Sequence, residues 1–163
     1  MFRVGIITAS DSGYAGKRED TSGAVIKEIV LANGYQVTSY IVLPDDRKLL
    51  ADEMKRLCDN DIADLVLTTG GTGFSPRDCT PEATIDVAER QAQGIAEAMR
   101  YSSMRITKRA MLSRAVAAIR GRTLIINLPG SPKAVRENLE FIITELPHGL
   151  EVLKGNVSDC AVK

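Results

Sequence analysis

Two hydrophobic periods alternate along this chain. Residues 2–9, FRVGIITA, are apolar at almost every position, which predicts a strand buried on both faces. Residues 10–19 are polar and carry two glycines, so a loop is expected. From Asp20 to Asn33 the apolar positions Val25, Ile26, Ile29 and Val30 recur at helical spacing, and Gly34 follows as a C-terminal cap. YQVTSYIVL, 35–43, reads as a second strand, rich in β-branched residues and stopped by Pro44. A second helix is expected over 46–60, with Leu50, Met54, Leu57 and Cys58 on one face. DLVLTT, 64–69, is the third strand, and a helix follows from Thr80. Thr80 suits its N-cap, Pro81 its first turn and Glu82 its positive dipole end.

The second half is less regular. Residues 94–109 carry a weaker helical pattern, whereas VAAIRGRTLIINL, 116–128, predicts two short strands about an Arg120-Gly121 turn. Ser131 and Pro132 then open a helix as N-cap and first residue, with Val135, Leu139, Ile142, Ile143 and Leu146 as its apolar face. A last short helix covers about 147–154, and the tail from Gly155 is expected to fray. Strands alternating with helices imply parallel βαβ units. The predicted fold is a three-layer α/β/α domain with a mostly parallel central sheet, spanning 1–163 as a single domain.

Composition narrows the function. Lys plus Arg, 21, equals Asp plus Glu, 21, so no net field favours nucleic acid or a membrane surface. No N-terminal signal pattern precedes the first strand, and a soluble cytoplasmic protein is expected. The three cysteines, Cys58, Cys79 and Cys160, form no CxxC pair, which argues against a zinc site or a disulfide framework. His148 is the only histidine and sits in a helical pattern near the C-terminus. Chemistry is therefore sought in carboxylates, hydroxyls and backbone amides.

Those groups gather at one sheet edge. Ligands of open parallel sheets bind outside the carboxyl ends of the strands. Ser10, Asp11 and Ser12 follow the first strand, and Pro44, Asp45 and Asp46 the second. TTGGTGFSPRD, with Asp78, follows the third, and Pro129, Gly130 and Ser131 follow the last central one. Gly70, Gly71 and Gly73 permit positive φ and close approach to a ligand, and successive amides in such a turn form an anion-binding nest. The helix starts at Thr80 and Ser131 add unpaired N–H groups, and Arg77 and Lys133 are candidates for added charge. Carboxylates beside phosphates repel unless a divalent cation lies between them, so the loop set suits a Mg²⁺-nucleotide. Either Asp45 or Asp46 is available to cap the second helix, and Asp20 is placed to cap the first.

TTGGTGFSPRDCTPEAT, LPGSPKAV, TASDSGYAGKREDTSG and VLPDD together resemble the molybdopterin adenylyltransferase family, from about Arg3 to Gly155 and in the family's order. That family includes bacterial Mog and MoaB proteins and the G domain of gephyrin. AMLSR and IRGRTLIINLPG also look like family segments. The resemblance implies Mg²⁺-dependent transfer of AMP from ATP to the terminal phosphate of molybdopterin, with pyrophosphate leaving. It implies a homotrimer and a MoeA-type molybdate insertase as partner. By the same resemblance Asp78 and Asp45 are the catalytic and metal-binding acids. The nucleotide- or pterin-binding set becomes Ser10, Asp11, Thr69, Gly70, Gly71, Thr72, Gly73, Pro129, Gly130 and Ser131. Cys79 stands where relatives often carry a small aliphatic residue, so packing is expected of it. A non-catalytic molybdopterin-binding protein or a trimeric scaffold of the MoaB type is the alternative.

Overall fold

A computed structural model describes residues 1–156. Its six-stranded sheet has the order β2-β1-β3-β6-β5-β4. The strands are β1 (Arg3–Ala9), β2 (Gln36–Leu43), β3 (Leu65–Thr69), β4 (Arg90–Gln91), β5 (Ala117–Arg120) and β6 (Thr123–Leu128). β2, β1, β3 and β6 are parallel, while β5 and β4 add an antiparallel edge. The helices are α1 (Asp11–Tyr14), α2 (Thr21–Ala32), α3 (Arg47–Asp59), α4 (Thr80–Val87), α5 (Gln93–Met104), α6 (Pro132–Ile142) and α7 (Leu146–Lys154). A 3₁₀ helix covers Lys108–Leu112.

The strands alternate between two cores, as strands buried on both faces must. Val4, Ile6, Leu65, Leu67, Leu124 and Ile126 pack with α2, α5, α6 and α7. Ile7, Val66 and Ile125 face the other way, onto Leu50, Met54 and Leu57 of α3 and Ala83 and Val87 of α4. The sheet is thus the middle layer of an α/β/α sandwich. Inside the second core, Asn127 donates to Thr68 (3.0 Å) and Thr84 (2.9 Å) and accepts from the Val116 amide (3.2 Å). A buried amide paired in this way fixes β3, β6 and α4 relative to one another.

Several local expectations change. Residues 10–19 contain α1, capped by Ser10, whose Oγ accepts from the Gly13 amide at 3.0 Å. Thr80 does not cap α4: it is the first helical residue, and Cys79 at the cap position makes no side-chain bond. The Thr80 amide already donates to the Gly71 carbonyl (3.1 Å), which draws the residue under the glycine loop. Ile143 and Leu146 lie beyond α6, at its C-cap and at the start of α7. Gly155 is not frayed but forms the left-handed cap of α7 (φ 74°); the rest of the predicted tail, 157–163, lies outside the described residues. No helix among the described residues is long and apolar enough to cross a membrane.

Candidate functional site

Chain order β1-β2-β3 combined with spatial order β2-β1-β3 places a topological switch between β1 and β3. A cleft of ≈ 430 Å³ opens there. Its walls come from the loops after β1, β2, β3 and β6: Ser10, Asp11 and Ser12; Asp45; Thr69, Gly70, Gly71, Arg77 and Asp78; and Gly130. The turn after β3 passes close against β1. Gly70 (φ 88°) lies so near the Ala9 carbonyl that any Cβ would collide with its oxygen. Gly71 (φ 66°) faces inward, where a Cβ would strike Thr80 Oγ1 and lie 3.1 Å from Asp45 Oδ1. Gly73 does not take positive φ; it is small because Asp78 Oδ2 lies 2.9 Å from where its Cβ would stand.

Two loops are laced together through their acids. The Asp11 amide donates to Asp45 Oδ2 and the Asp45 amide donates to Asp11 Oδ1, both at 3.0 Å. Arg77 crosses the cleft and makes two bonds to Asp11, at 3.0 and 2.9 Å. That guanidinium holds the Asp11 carboxyl below its usual range. Asp45 behaves oppositely: burial first, then the nearby negative charges of Asp11 and Asp78, raise it. Its Oδ1 is buried with no hydrogen-bond partner, and so is Thr80 Oγ1. Buried polar atoms are rarely left unpaired, and a carboxylate oxygen so placed suits a cation. Asp78 Oδ2 accepts from the Ser75 amide at 3.1 Å. Among the described residues no cluster of three or more His, Cys, Asp or Glu forms a complete metal cage. Mg²⁺ takes one or two carboxylates plus phosphate oxygens, and Asp45 with Asp78 fits that donor set.

Other expected residues fall elsewhere. Asp46, next to Asp45, caps α3 by accepting from the Leu49 amide (2.9 Å). Ser131 caps α6 in the same way, accepting from Ala134 (3.2 Å), and does not line the cleft. Thr69 lines the cleft, but its hydroxyl donates to the Pro129 carbonyl at 2.6 Å. Thr72, Gly73 and Pro129 border a second cavity of ≈ 300 Å³ on the far side of the glycine loop. Lys133 pairs with Glu137 (3.8 Å) instead of entering the cleft. Burial raises the Cys79 thiol, disfavouring a thiolate there. His148 lies on α7 beside a different cavity.

Sequence reasoning missed how Asp20 is used. It caps α2 through the Gly23 amide (2.9 Å), yet it also lines the cleft. Its Oδ2 accepts from Thr8 Oγ1 (2.7 Å) and Tyr40 Oη (2.6 Å). The sequence carried only the capping signal; the two hydroxyls arrive from separate strands.

The comparisons agree with this geometry. Residues 5–148 match the family model described as "Probable molybdopterin binding domain". The chain is 41% identical to the protein named molybdopterin adenylyltransferase of Helicobacter pylori, over 94% of this chain and 88% of that one. It is 36% identical to the molybdopterin adenylyltransferase of Escherichia coli, over 95% and 76%. Among solved structures, the molybdopterin biosynthesis enzyme MoaB of Thermus thermophilus superposes with a TM-score of 0.90 at 47% identity, covering 95% of this chain and 98% of that one. With the family model matching most of the chain and named relatives aligned over nearly all of it, this protein belongs to the molybdopterin adenylyltransferase family of molybdenum-cofactor biosynthesis.

Proposed function

We propose that the cleft catalyses transfer of AMP from ATP to the terminal phosphate of molybdopterin, in the cytoplasm, with residues 1–163 acting as one domain and the chain assembling as a homotrimer. The observation that carries this reading is Asp45 Oδ1, a buried carboxylate oxygen without a protein partner beside a glycine turn at the sheet's switch point. Asp45 and Asp78 would hold Mg²⁺, which when bound neutralises triphosphate charge. The backbone of Gly70 and Gly71 lets phosphate oxygens approach without a side chain between. Arg77 pairs with the Asp11 carboxylate, which lessens its repulsion of a polyphosphate in the cleft.

The bonds balance simply. A terminal phosphate oxygen of molybdopterin forms a bond to the α-phosphorus of ATP, and the bond from that phosphorus to the α–β bridging oxygen breaks. Pyrophosphate leaves with the electron pair. The nucleophile is already ionised at neutral pH, so positioning and charge complementarity supply the catalysis. A MoeA-type insertase would take the activated pterin. Purified protein with ATP, molybdopterin and Mg²⁺ should release pyrophosphate only when the pterin is present. Molybdopterin binding without any release would support the non-catalytic binding reading instead.

A further inference from the structure

Arg114 stands outside the cleft, between the 3₁₀ helix and β5, yet it is bonded to the loop that carries Asp78. Its Nε donates to the Gly73 carbonyl at 2.7 Å, and its Nη2 to the Asp78 carbonyl at 3.0 Å. Nη1 pairs with Glu82 Oε1 on α4. The Arg114 amide donates to the Thr72 carbonyl at 2.9 Å. One residue therefore holds both half-buried ends of the segment 73–78, whose middle, 74–77, is exposed, and through Glu82 ties it to the helix that follows. Inside the segment two bonds add to this: the Asp78 amide donates to the Ser75 carbonyl (2.9 Å) and the Ser75 amide to Asp78 Oδ2 (3.1 Å). Without the guanidinium, Gly73 and Asp78 would each lose a charge-assisted bond that sets where the Asp78 carboxylate points.

We propose that Arg114 is the positioning residue for Asp78: its planar fork clamps the 73–78 loop from behind so that the carboxylate faces the cleft. This deepens the proposed adenylyl transfer and rests on it. The geometry separates a fork from a point charge. Lysine at this position keeps the ion pair with Glu82 but cannot bond both carbonyls at once.

The test uses Arg114→Lys and Arg114→Ala in the full chain. Turnover with Mg²⁺-ATP and molybdopterin is measured alongside amide hydrogen exchange of residues 72–78. Both variants should fold, exchange faster at Ser75 and Asp78, and lose kcat by about 10- to 100-fold, as small misplacements of a reacting group do. KM for both substrates should change little. Added guanidinium ion should restore part of the Arg114→Ala rate and none of the rate of an Asp78→Asn variant. Wild-type kcat in Arg114→Lys would overturn the proposal, leaving Arg114 a plain ion pair. Should Arg114→Ala fail to fold, Arg114→Lys still decides. If the wild-type protein transfers no AMP, the functional reading fails by itself. Unchanged exchange at Ser75 and Asp78 in Arg114→Lys would then overturn the clamp independently.

Discussion

Asp45 and Asp46 are neighbours with opposite tasks, and the division follows from where β2 ends. Asp46 is one step further along, in extended conformation (φ −121°), and its carboxylate caps α3. Asp45 is turned back into the cleft, laced to Asp11. Asp46→Ala should therefore cost about 0.5–2 kcal/mol of stability, the usual value of a lost cap, with turnover retained. Asp45→Ala should sharply reduce Mg²⁺-dependent turnover with only a modest loss of stability, because Oδ1 bonds nothing in the free protein and the one side-chain bond lost is that from the Asp11 amide to Oδ2. Denaturant unfolding and turnover on the same two variants check this; an inactive Asp46→Ala with an active Asp45→Ala would move the acid by one residue. Asp78→Asn should keep the fold. A metal-bound charge supplies several kcal/mol in the transition state, so its kcat/KM should fall more than about 100-fold. A rate near that of the wild type would remove Asp78 from the reaction. Residue chemistry of this kind was legible in the sequence because each acid follows a predicted strand end. Choosing between the adjacent pair was not, since either carboxylate can cap a helix; only the family resemblance selected Asp45.

At the scale of elements, the glycine turn is the part most exposed to substitution. Gly71→Ala would place a methyl group against Thr80 and Asp45 while holding alanine at positive φ, a strain of about 1–2 kcal/mol. Nucleotide affinity, read by calorimetric titration of Mg²⁺-ATP, should fall further than that, because the methyl group intrudes on the site. A loss of stability matched by an equal loss of affinity would make the turn a mere crossover. The turn itself, the four central strands and helices α2, α3 and α6 follow from periodicity and capping signals. Two elements do not. α1 buries none of its four residues, so no apolar period marks it. β4 is two exposed residues, held by flanking bonds from Glu89 to Ile119 (2.9 Å) and from Ala92 to Ala117 (2.8 Å). Such pairing is tertiary and leaves no local trace. Thr80 fails differently: its local signal said cap, but the packing of the glycine turn on α4 overrode it.

For the whole molecule, the cleft lies at one end of the sheet and an ion cluster at the other. Asp64, buried just before β3, accepts from the Arg3 amide (2.8 Å) and Arg3 guanidinium (2.8 Å) and pairs with Lys154 (3.0 Å). Burial alone would raise its carboxyl, but these bonds outweigh it and hold it at about 2 against an ordinary 3.8. A depressed folded-state value means stability present above the unfolded one and lost as acid protonates the group. The cluster should thus contribute on the order of 2 kcal/mol at neutral pH, fading between about pH 4 and pH 2. Urea unfolding across that range, compared between the wild type and Asp64→Asn, should show the difference closing at low pH. A difference independent of pH would contradict the assignment. Arg3 and Asp64, 61 positions apart in sequence, meet here only because β1 and β3 are neighbours, so this pairing could not be seen before the sheet order was known.

Adenylyl transfer differs from phosphoryl transfer in which phosphorus of ATP is attacked. ATP labelled at its α-phosphorus, incubated with the protein, Mg²⁺ and molybdopterin, should deliver the label to the pterin in equal amount to the pyrophosphate released. Asp78→Asn and chelation of the metal should each suppress it. Label that stays in free nucleotide while the pterin remains bound, or transfer from γ-labelled ATP instead, would contradict adenylyl transfer by this cleft.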